Sequence, residues 1–464
     1  MCKKLIAKNA VLILLITSFF LHFWGLEHPD EVVFDEVHFG KFASSYLNGS
    51  YHFDIHPPLG KMFLAAGGAL TGFKPDFGFS NIGDKYPDST YYGLRFFPAL
   101  AGSLIPLVVY LILRVLGLSK RISLLGMAIM VFENSLLIQS KFVLIDAFLI
   151  LFGLASILFY LLARKQKTFY MKIFSLLISG LLAGASFSIK WTGLVFYFVV
   201  FALGFSSLLK HLIQKNTQKI KPIMIFTLAF LVVPIAFYAS VFALHFSMLP
   251  YSGGGDAFMS QQFQSTLKNN PNYNPEAKMG FSEKFLELNK VMLSANSGIT
   301  ASHPYAIKWY YMPVMYRSLY YWTEAGGNTT SRIYLIGNPF IWWAVLISVI
   351  FLSGNILWSL ARKNWKFFRE NKILIIFLVA YFLNLATYAF VSRVIFLYHY
   401  FPSLVLGIFI FCLTAKKLFE KRSKLFIGFL ILIIGSFIFL SPLTYGLPLD
   451  KFSYDMRNWL PTWI

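Results

Sequence analysis

The stretch FDEVHFGKFASSYLNGSYHFDIHPPLGK, residues 34–61, is the part of this sequence around which the rest is organised. It follows the first strongly apolar segment and gathers the adjacent carboxylates Asp35 and Glu36, the further aspartate Asp54, and histidines that include His38 and His56. Charged groups are expensive to bury without partners. A polar cluster beside apolar segments therefore predicts either a functional site or contact with water at a membrane surface.

Composition identifies an integral membrane protein. Apolar residues make up 57% of the 464 residues and charged residues 13%, with a mean hydropathy of +0.63. Soluble domains contain about 25% charged residues, so the expected fold is all-α and polytopic. The first helix is predicted over residues 10–25 and is expected to be retained, since no small-residue cleavage site follows it. Ten further spans begin near Leu94, Ile122, Phe142, Ile173, Thr192, Pro222, Asn338, Ile373, Tyr398 and Leu425.

The distribution of charge predicts the orientation in the membrane. Together with Arg114, six segments on one side of the predicted bundle hold 24 of the 41 basic residues and 2 of the 20 acidic ones. The positive-inside rule assigns that side to the cytoplasm, so eleven spans place the N-terminus inside and the C-terminus outside. Because these bases lie in short loops between spans, the net charge of +21 does not indicate a nucleic-acid partner. The six segments are 3–8, 120–121, 164–172, 210–221, 362–372 and 416–424.

The chain is expected to form one polytopic membrane domain, residues 1–464, without an internal repeat. Two long segments lie on the predicted outer side, residues 27–92 and 247–337, and residues 442–464 form an outer C-terminal tail. The unusual polar residues of the shorter turns also fall on the outer half. This asymmetry predicts a single extracytoplasmic site covered by the two long segments. Cys2 and Cys412 fit neither a disulfide framework nor a metal motif.

Two short helices are predicted within the first outer segment. Phe39, Phe42, Ala43, Tyr46 and Leu47 recur at helical spacing, which indicates an amphipathic helix on the membrane surface. Its start leaves a capping role open for the acidic pair that precedes it. A second helix is expected to begin at one of the two consecutive prolines, 57 or 58, with its positive end available to a phosphate.

Several motifs in order along the chain resemble one family. The 34–61 stretch is similar to the first outer loop of the protein O-mannosyltransferases, glycosyltransferase family 39. The resemblance extends from residue 34 to residue 449, which is nearly the whole chain. The further motifs are LRFFPAL (94–100), QSKFVLIDAFLILF (139–152), SFSIKWTGL (186–194), HPYAIKW (303–309), IGNPFIWW (336–343), SRVIFLYHYFPSL (392–404) and PLTYGLPL (442–449).

This resemblance implies a GT-C fold with eleven helices. It also implies inverting transfer of mannose from a polyprenyl-phosphate donor to serine or threonine of translocated proteins. Residues 247–337 are too few to hold the MIR domain of eukaryotic members, which suggests a bacterial-type enzyme. Lys141 stands where the family pattern commonly has arginine, and this leaves its role open. No cofactor or metal is implied, and the histidine and acid spacing fits no recognised zinc template.

The chemistry such a reaction needs is present in the sequence. A hydroxyl nucleophile requires one general base, and a departing phosphate requires cations rather than an acid. The resemblance implies Asp35 as the base, with Glu36 orienting Asp35, the acceptor or a histidine. The residues expected to contact substrate are His38, Asp54, His56, Arg95, Lys141, Asp146, Lys190, Trp191, His303, Arg393 and His399.

Structural alternatives stay open for several of these residues. Arg95 could simply extend to the interface, Lys141 and Asp146 could neutralise each other, and Lys190 with Trp191 could be an interfacial anchor. His56 and His303 each precede proline and could be loop struts, and His38 could pack against Asp35.

Two other classes of protein compete with this interpretation. One is another GT-C transferase that uses a polyprenyl-phosphate sugar to modify lipid A or another glycan. The other is a transporter, which predicts ionisable residues near mid-bilayer and matching broken helices in two halves. The expected partners are the lipid donor, the bilayer and secreted or membrane protein acceptors, with the secretion machinery a candidate. The expected location is the cell membrane.

Overall fold

The computed structural model describes residues 2–213, 220–298, 303–391 and 393–463. Side chains are described from residue 9 onward, except that of residue 297. Residues 214–219 of a predicted basic inner segment, residues 299–302 of the second long outer segment and residue 392 of a family motif lie outside the described residues. The side chains of the basic segment 3–8 do so too.

Helices account for most of the chain and lie where the apolar stretches predict them. The α-helices are α1 Cys2–Phe23, α2 Glu36–Asn48, α3 Leu59–Thr71, α4 Tyr92–Val115, α5 Lys120–Val131, α6 Asn134–Lys141, α7 Asp146–Ala163, α8 Phe169–Phe187, α9 Leu194–Ile213, α10 Ile220–Thr227, α11 Val233–Met248, α12 Gln261–Gln264, α13 Phe281–Gly298, α14 Pro339–Ala361, α15 Trp365–Glu370, α16 Lys372–Thr387, α17 Phe401–Lys421, α18 Ser423–Tyr445 and α19 Lys451–Asp455. The strands are β1 Leu319–Gly326, β2 Thr329–Leu335 and β3 Pro448–Leu449.

Eight helical segments of the described chain are long and apolar enough to cross a membrane, or nine if a bent pair counts as one span. This confirms a multi-pass membrane protein. The eight segments are Ser89–Val115, Asp146–Ala163, Phe169–Phe187, Trp191–Ile213, Ile220–Met248, Pro339–Ala361, Leu397–Lys421 and Ser423–Tyr445. Shorter apolar helices cover Asn9–Phe23, Leu59–Thr71 and Lys372–Thr387.

The span predicted to begin near Ile122 is not one straight helix. It breaks into α5 and α6, which meet at 54°. The cause is a buried carboxylate at the break: Glu133 accepts hydrogen bonds from the Leu136 N–H and the Ser135 hydroxyl and so caps α6. Glu133 also accepts from the Asn338 N–H and the Trp342 indole, which ties the break to the start of α14.

The first outer segment folds as two helices, as predicted. In α2 the side chains of Phe39, Ala43 and Tyr46 are buried. Helix α3 begins at Leu59 with Pro58 as its N-cap, one residue beyond the predicted range. Asp35 occupies the N-cap position of α2, but its side chain makes no capping hydrogen bond within the described residues. The capping role left open for Asp35 is therefore not observed.

A small antiparallel sheet joins the second long outer segment to the C-terminal tail. Strands β1 and β2 form a hairpin from Leu319↔Leu335 to Gly326↔Thr329, and β3 adds to β2 at Thr330↔Leu449. The Phe34 N–H donates to the Tyr321 carbonyl oxygen at 3.1 Å, which links the 34–61 stretch to β1. The two long segments and the tail therefore lie together at one end of the bundle, here called the loop end.

Candidate active site

Two neighbouring cavities at the loop end collect most of the polar residues that the sequence singles out. The larger, of about 400 Å³, is lined by Asp35, His38, Phe39, Phe42, Asp54, Ile55, His56, His303, Arg393, Val394, Phe396, Tyr398 and His399. The smaller, of about 60 Å³, is lined by Ile55, His56, Asp146, Lys190, Trp191, Thr192, Asn296, Tyr388, Arg393, Tyr398, His399 and Pro402. Their common wall consists of Ile55, His56, Arg393, Tyr398 and His399.

Asp35 is the carboxylate of the larger cavity that has no partner. It is half-buried, and no hydrogen bond or ion pair to its side chain occurs among the described residues. Burial raises the pKa of Asp35 from 3.8 to about 7, opposed by the positive charge of Lys190 and assisted by the charges of Asp146 and Asp54. A carboxylate with a pKa near neutrality can exchange a proton with a bound hydroxyl.

Arg393 is the cation placed to meet an anion. It lines both cavities, and one of its terminal nitrogens lies 3.2 Å from Nε2 of His399. The Nδ1 of His399 lies 3.1 Å from the Phe396 carbonyl oxygen. Assigning the proton to Nδ1 lets His399 donate to that carbonyl and accept from Arg393. No carboxylate lies within ion-pair distance of Arg393 in the described part of the chain, so its charge faces the cavities uncompensated.

Asp146 and Lys190 form the ion pair of the smaller cavity. The Lys190 ammonium contacts the two carboxylate oxygens of Asp146 at 2.9 and 2.8 Å, and the Gln139 amide donates to Asp146 at 2.8 Å. Gln139 in turn accepts from the Tyr321 hydroxyl of β1. Lys190 also lies 5.0 Å from the ring centre of Tyr398. Asp146 is therefore neutralised by Lys190, and the predicted neutralisation by Lys141 is wrong.

Neighbouring residues orient the turn that carries Asp54 and His56, which also line the larger cavity. Lys61 of α3 donates to Asp54 at 2.6 Å and to the His56 carbonyl oxygen at 2.7 Å, so it holds the turn before α3 in place. Burial lowers the pKa of His56 well below 6.5, assisted by Lys190 and Arg393, and this imidazole is neutral. Burial, assisted by the charge of Lys41, also lowers the pKa of His38 below its usual value of 6.5.

The other aromatic and histidine predictions have mixed outcomes. Trp191 lines the smaller cavity and its indole donates to the Tyr238 hydroxyl at 3.0 Å. His303 lines the larger cavity with its ring 5.0 Å from that of Phe396. The His38 backbone N–H donates to the Asp35 carbonyl oxygen at 2.9 Å and both residues line the larger cavity, but no hydrogen bond or ion pair joins their side chains among the described residues.

Glu36 and Arg95 lie away from both cavities and form a structural pair. Both side chains are fully buried. All five N–H groups of Arg95 are used: they bond Glu36 twice at 2.9 Å and reach the carbonyl oxygens of Leu26, Pro29 and Glu31. No donor remains for a phosphate in this structure, which favours a structural role for Arg95 over its predicted contact with substrate.

Glu36 is equally committed. Besides Arg95, it accepts from the backbone N–H groups of Val33 and Val143 at 2.9 Å and from the Tyr86 hydroxyl at 3.1 Å. These contacts leave Glu36 no part in contacting substrate and agree with its predicted role of orienting Asp35, which stays a prediction. Glu36 joins the loop before α2 to the turn between α6 and α7, and this fixes the position of the preceding residue, Asp35.

Lys141, like Glu36 and Arg95, does not line either cavity. It is buried, donates to the Trp24 carbonyl oxygen and lies 4.5 Å from the ring centre of Tyr445. Its contacts join α1, α6 and α18. Lys141 lines neither cavity, so these contacts favour a structural role over its predicted contact with substrate.

Sequence reasoning missed Lys61, Tyr388, Tyr398 and Asn296. Lys61 carries a recognisable signal, since a lysine within an apolar helix and seven residues after an aspartate suggests a buried pair. Asn296 reaches the smaller cavity from one part of the chain, and Tyr388 and Tyr398 reach it from another about a hundred residues further on. No group of three or more histidine, cysteine or acidic residues able to hold a metal ion occurs among the described residues.

Fold and site together define a multi-pass membrane protein with a charged cavity at one end of a helical bundle. A family model described as "Dolichyl-phosphate-mannose-protein mannosyltransferase" matches residues 12–250, and the "C-terminal four TMM region of protein-O-mannosyltransferase" matches residues 281–463. The chain belongs to the dolichyl-phosphate-mannose–protein mannosyltransferase family.

Curated relatives match a little over half of the chain. Dolichyl-phosphate-mannose–protein mannosyltransferase 1 of Candida albicans is 41% identical over 265 residues, which are 55% of this chain and 30% of that protein. The Saccharomyces cerevisiae protein of the same name is 39% identical over 254 residues, 53% of this chain and 31% of the relative. The matched regions thus span about a third of these relatives.

Solved structures support the fold. The S. cerevisiae protein O-mannosyltransferase Pmt1-Pmt2 complex, described as bound to the sugar donor, superposes with a TM-score of 0.90 at 22% identity, covering 99% of this chain and 92% of that chain. An Archaeoglobus fulgidus oligosaccharyltransferase matches with a TM-score of 0.52 at 13% identity, covering 98% of this chain and 57% of the other.

Proposed function

We propose that this protein transfers mannose from a polyprenyl-phosphate-mannose donor to serine or threonine hydroxyls of translocated proteins, with inversion at the sugar carbon. The observation that carries the proposal is a cavity lined by the Asp35 carboxylate and the Arg393 cation, neither of which has an ion-pair partner in the described part of the chain. Support comes from membership of the family, from the names of the relatives and from the sugar-donor complex of the structural neighbour.

Asp35 acts as the general base in this proposal. The acceptor hydroxyl donates its proton to Asp35 while its oxygen forms a bond to the anomeric carbon, and the bond from that carbon to the phosphate oxygen breaks. Such catalysis contributes roughly 10²–10⁴-fold to the rate. Attack opposite the leaving phosphate inverts the sugar carbon.

Arg393 stabilises the phosphate as it departs. The guanidinium presents several donors in a plane that suits phosphate oxygens, and His399 holds it by accepting one of them. His56 is neutral and lines the same wall, so it can bond the sugar or the phosphate without adding charge. Asp146 and Lys190 form a neutral pair and bound the site rather than supplying net positive charge.

The topology proposed with this function has eleven spans. They comprise the eight long helices, the bent α5–α6 pair, α1 and α16, with α2 and α3 at the interface. The N-terminus then lies in the cytoplasm and the C-terminus outside. Residues 27–92, 247–337 and 442–464 lie on the extracytoplasmic face with the site, in the cell membrane. Protein acceptors would reach the site there, alongside the secretion machinery.

The test is transfer by the purified protein from polyprenyl-phosphate-mannose to a serine/threonine peptide. We expect Asp35→Asn to lower the rate at least about 100-fold, whereas Asp76→Asn, an exposed aspartate of the same loop, leaves it within twofold. A melting temperature of Asp35→Asn no lower than that of Asp76→Asn would show that loss of folding is not the cause. Near-native transfer by Asp35→Asn would overturn the base assignment, and transfer only to a glycolipid would overturn the protein acceptor.

A further inference from the structure

A second group of cavities lies at the opposite end of the bundle from the candidate active site. One, of about 470 Å³, lies between α7, α8, α9 and the α10–α11 span, and another, of about 690 Å³, lies between α9, α16 and α17. They adjoin, because Arg164, Ser207 and Lys210 line both. We call the two together the basic cleft.

The directions of two helices, α7 and α9, establish the position of the basic cleft. Helix α7 begins with Asp146 in the active-site cavity and ends just before Arg164 of the cleft. Helix α9 follows Trp191 of the cavity and carries Lys210 near its far end. At 1.5 Å per residue, the 18 residues of α7 separate the two sites by about 27 Å, the thickness of a hydrocarbon core.

Charge in the cleft is strongly one-sided. Seven lysine and arginine residues line it against one acid, Glu370, among the described residues. Glu370 is exposed and faces Lys366, which lies outside the cleft, at 3.8 Å. The seven bases are Arg164, Lys172, Lys210, Lys221, Arg369, Lys372 and Lys416.

Some of these bases lie close to other bases or at the N-terminus of a helix, and both positions disfavour a positive charge that has no counter-ion. Arg164, Lys210 and Lys372 line one cavity, where their like charges repel one another. Lys372 is also the first residue of α16, and Lys172 lies in the first turn of α8, where the helix dipole favours negative charge. Neither helix has a side-chain cap hydrogen bond within the described residues. An anion in the cleft would relieve both effects.

Apolar side chains also line the cleft and form its walls, beside the seven bases, which we call its charged rim. Leu176, Phe226 and Phe230 line the first cavity, and Leu203 and Leu413 line the second. A soluble anion would use the rim alone, whereas a ligand with a negative head and apolar tails would use the rim and the walls. Basic pockets between transmembrane helices suit such lipids.

We propose that the basic cleft binds the phosphate of an anionic phospholipid, with its acyl chains along the apolar walls. Arg164 and Lys210 hold the phosphate between the two cavities, and Ser207 offers a hydroxyl to it. The positive-inside rule alone explains bases in loops, but it does not require them to converge on a cleft between helices.

The test measures lipid binding by the purified full-length protein and does not depend on transferase activity. Native mass spectrometry counts bound phosphatidylglycerol and phosphatidylcholine, and thermal unfolding is followed with each lipid, with inorganic phosphate and with glycerol 3-phosphate. Removing two basic contacts in Arg164→Gln/Lys210→Gln is expected to weaken phosphatidylglycerol binding ~30-fold. The control Lys167→Gln/Lys424→Gln removes two exposed bases of the same end that do not line the cleft.

Support requires preferential retention of phosphatidylglycerol, its loss in the cleft variant and its persistence in the control. Equal binding of both lipids, or unchanged binding by the cleft variant, would overturn the proposal. Stabilisation by inorganic phosphate or glycerol 3-phosphate equal to that by the lipid would assign the cleft to a soluble phosphate instead. Native mass spectrometry counts lipid on folded protein, so a lower melting temperature in the cleft variant leaves the comparison valid.

Discussion

Replacing Arg95 with methionine distinguishes a structural role for this residue from donor binding. The substitution keeps an unbranched chain but removes five hydrogen bonds, two of them to the fully buried Glu36. The carboxylate then stays buried without its cation, which costs about 3–5 kcal/mol of unfolding free energy. Three carbonyl oxygens also lose a donor, so the upper part of that range is expected.

The assay is reversible unfolding in mixed detergent micelles, followed by tryptophan fluorescence, with mannose-donor binding measured on the folded fraction. The double variant Glu36→Met/Arg95→Met should be less destabilised than the sum of its single variants by about 2 kcal/mol, because neither charge is left unpaired. Lys74→Met, an exposed cation of the same loop, should change stability by less than about 0.5 kcal/mol. Wild-type stability of Arg95→Met, combined with donor affinity weakened tenfold or more, would refute the structural role.

Three further predictions concern the site and the packing around it. The transfer rate should rise with pH and reach half its maximum near pH 7, where Asp35 loses its proton; a flat profile between about pH 5.5 and 8.5 would exclude it as the base. The folded-state pKa of Asp35, about 7, lies above the unfolded value of 3.8. Between these two pH values the folded protein therefore binds one more proton at Asp35 than the unfolded protein does. Asp35 should therefore reduce stability as pH rises from about 4 to 7, and Asp35→Asn should gain stability over wild type at pH 8 but not at pH 4. Asp146→Asn leaves Lys190 without its carboxylate and should lower the unfolding free energy by at least about 2 kcal/mol, measured by the same fluorescence assay; an unchanged value would contradict the buried pair. Gly93→Ala would drive a methyl group into a backbone oxygen of α3 and should destabilise by about 1–3 kcal/mol, whereas Gly428→Ala, with open space around it, should not.

Helices and the approximate place of the site could be predicted because both depend on local pattern. Apolar runs of sufficient length predict spans, and the spacing of Phe39, Ala43 and Tyr46 predicts α2. The concentration of polar residues at one predicted face indicated that they would meet, and the structure brings ten of the thirteen named residues to the two cavities. Their substrate contacts stay predictions.

Which of those residues line the cavities and which form buried structural pairs could not be predicted. Asp35 and Glu36 are neighbours in the chain, yet one faces a cavity and the other is buried against Arg95. Arg95 and Arg393 look alike in sequence, since each stands at an outer helix end. Only the tertiary contacts distinguish them: all five N–H groups of Arg95 donate to protein oxygens, whereas the described contact of the Arg393 guanidinium is with His399.

The sequence by itself determined the membrane class, the order of the helices, the family and the 34–61 stretch that carries Asp35. These follow from composition, periodicity and motif order, all of which are properties of neighbouring residues. Tertiary structure decided which carboxylate is free, which cation is unpaired and that Asp146 pairs with Lys190 rather than Lys141. The physical reason is that burial and charge pairing depend on distances between chain segments far apart in sequence, such as the 44 positions between Asp146 and Lys190.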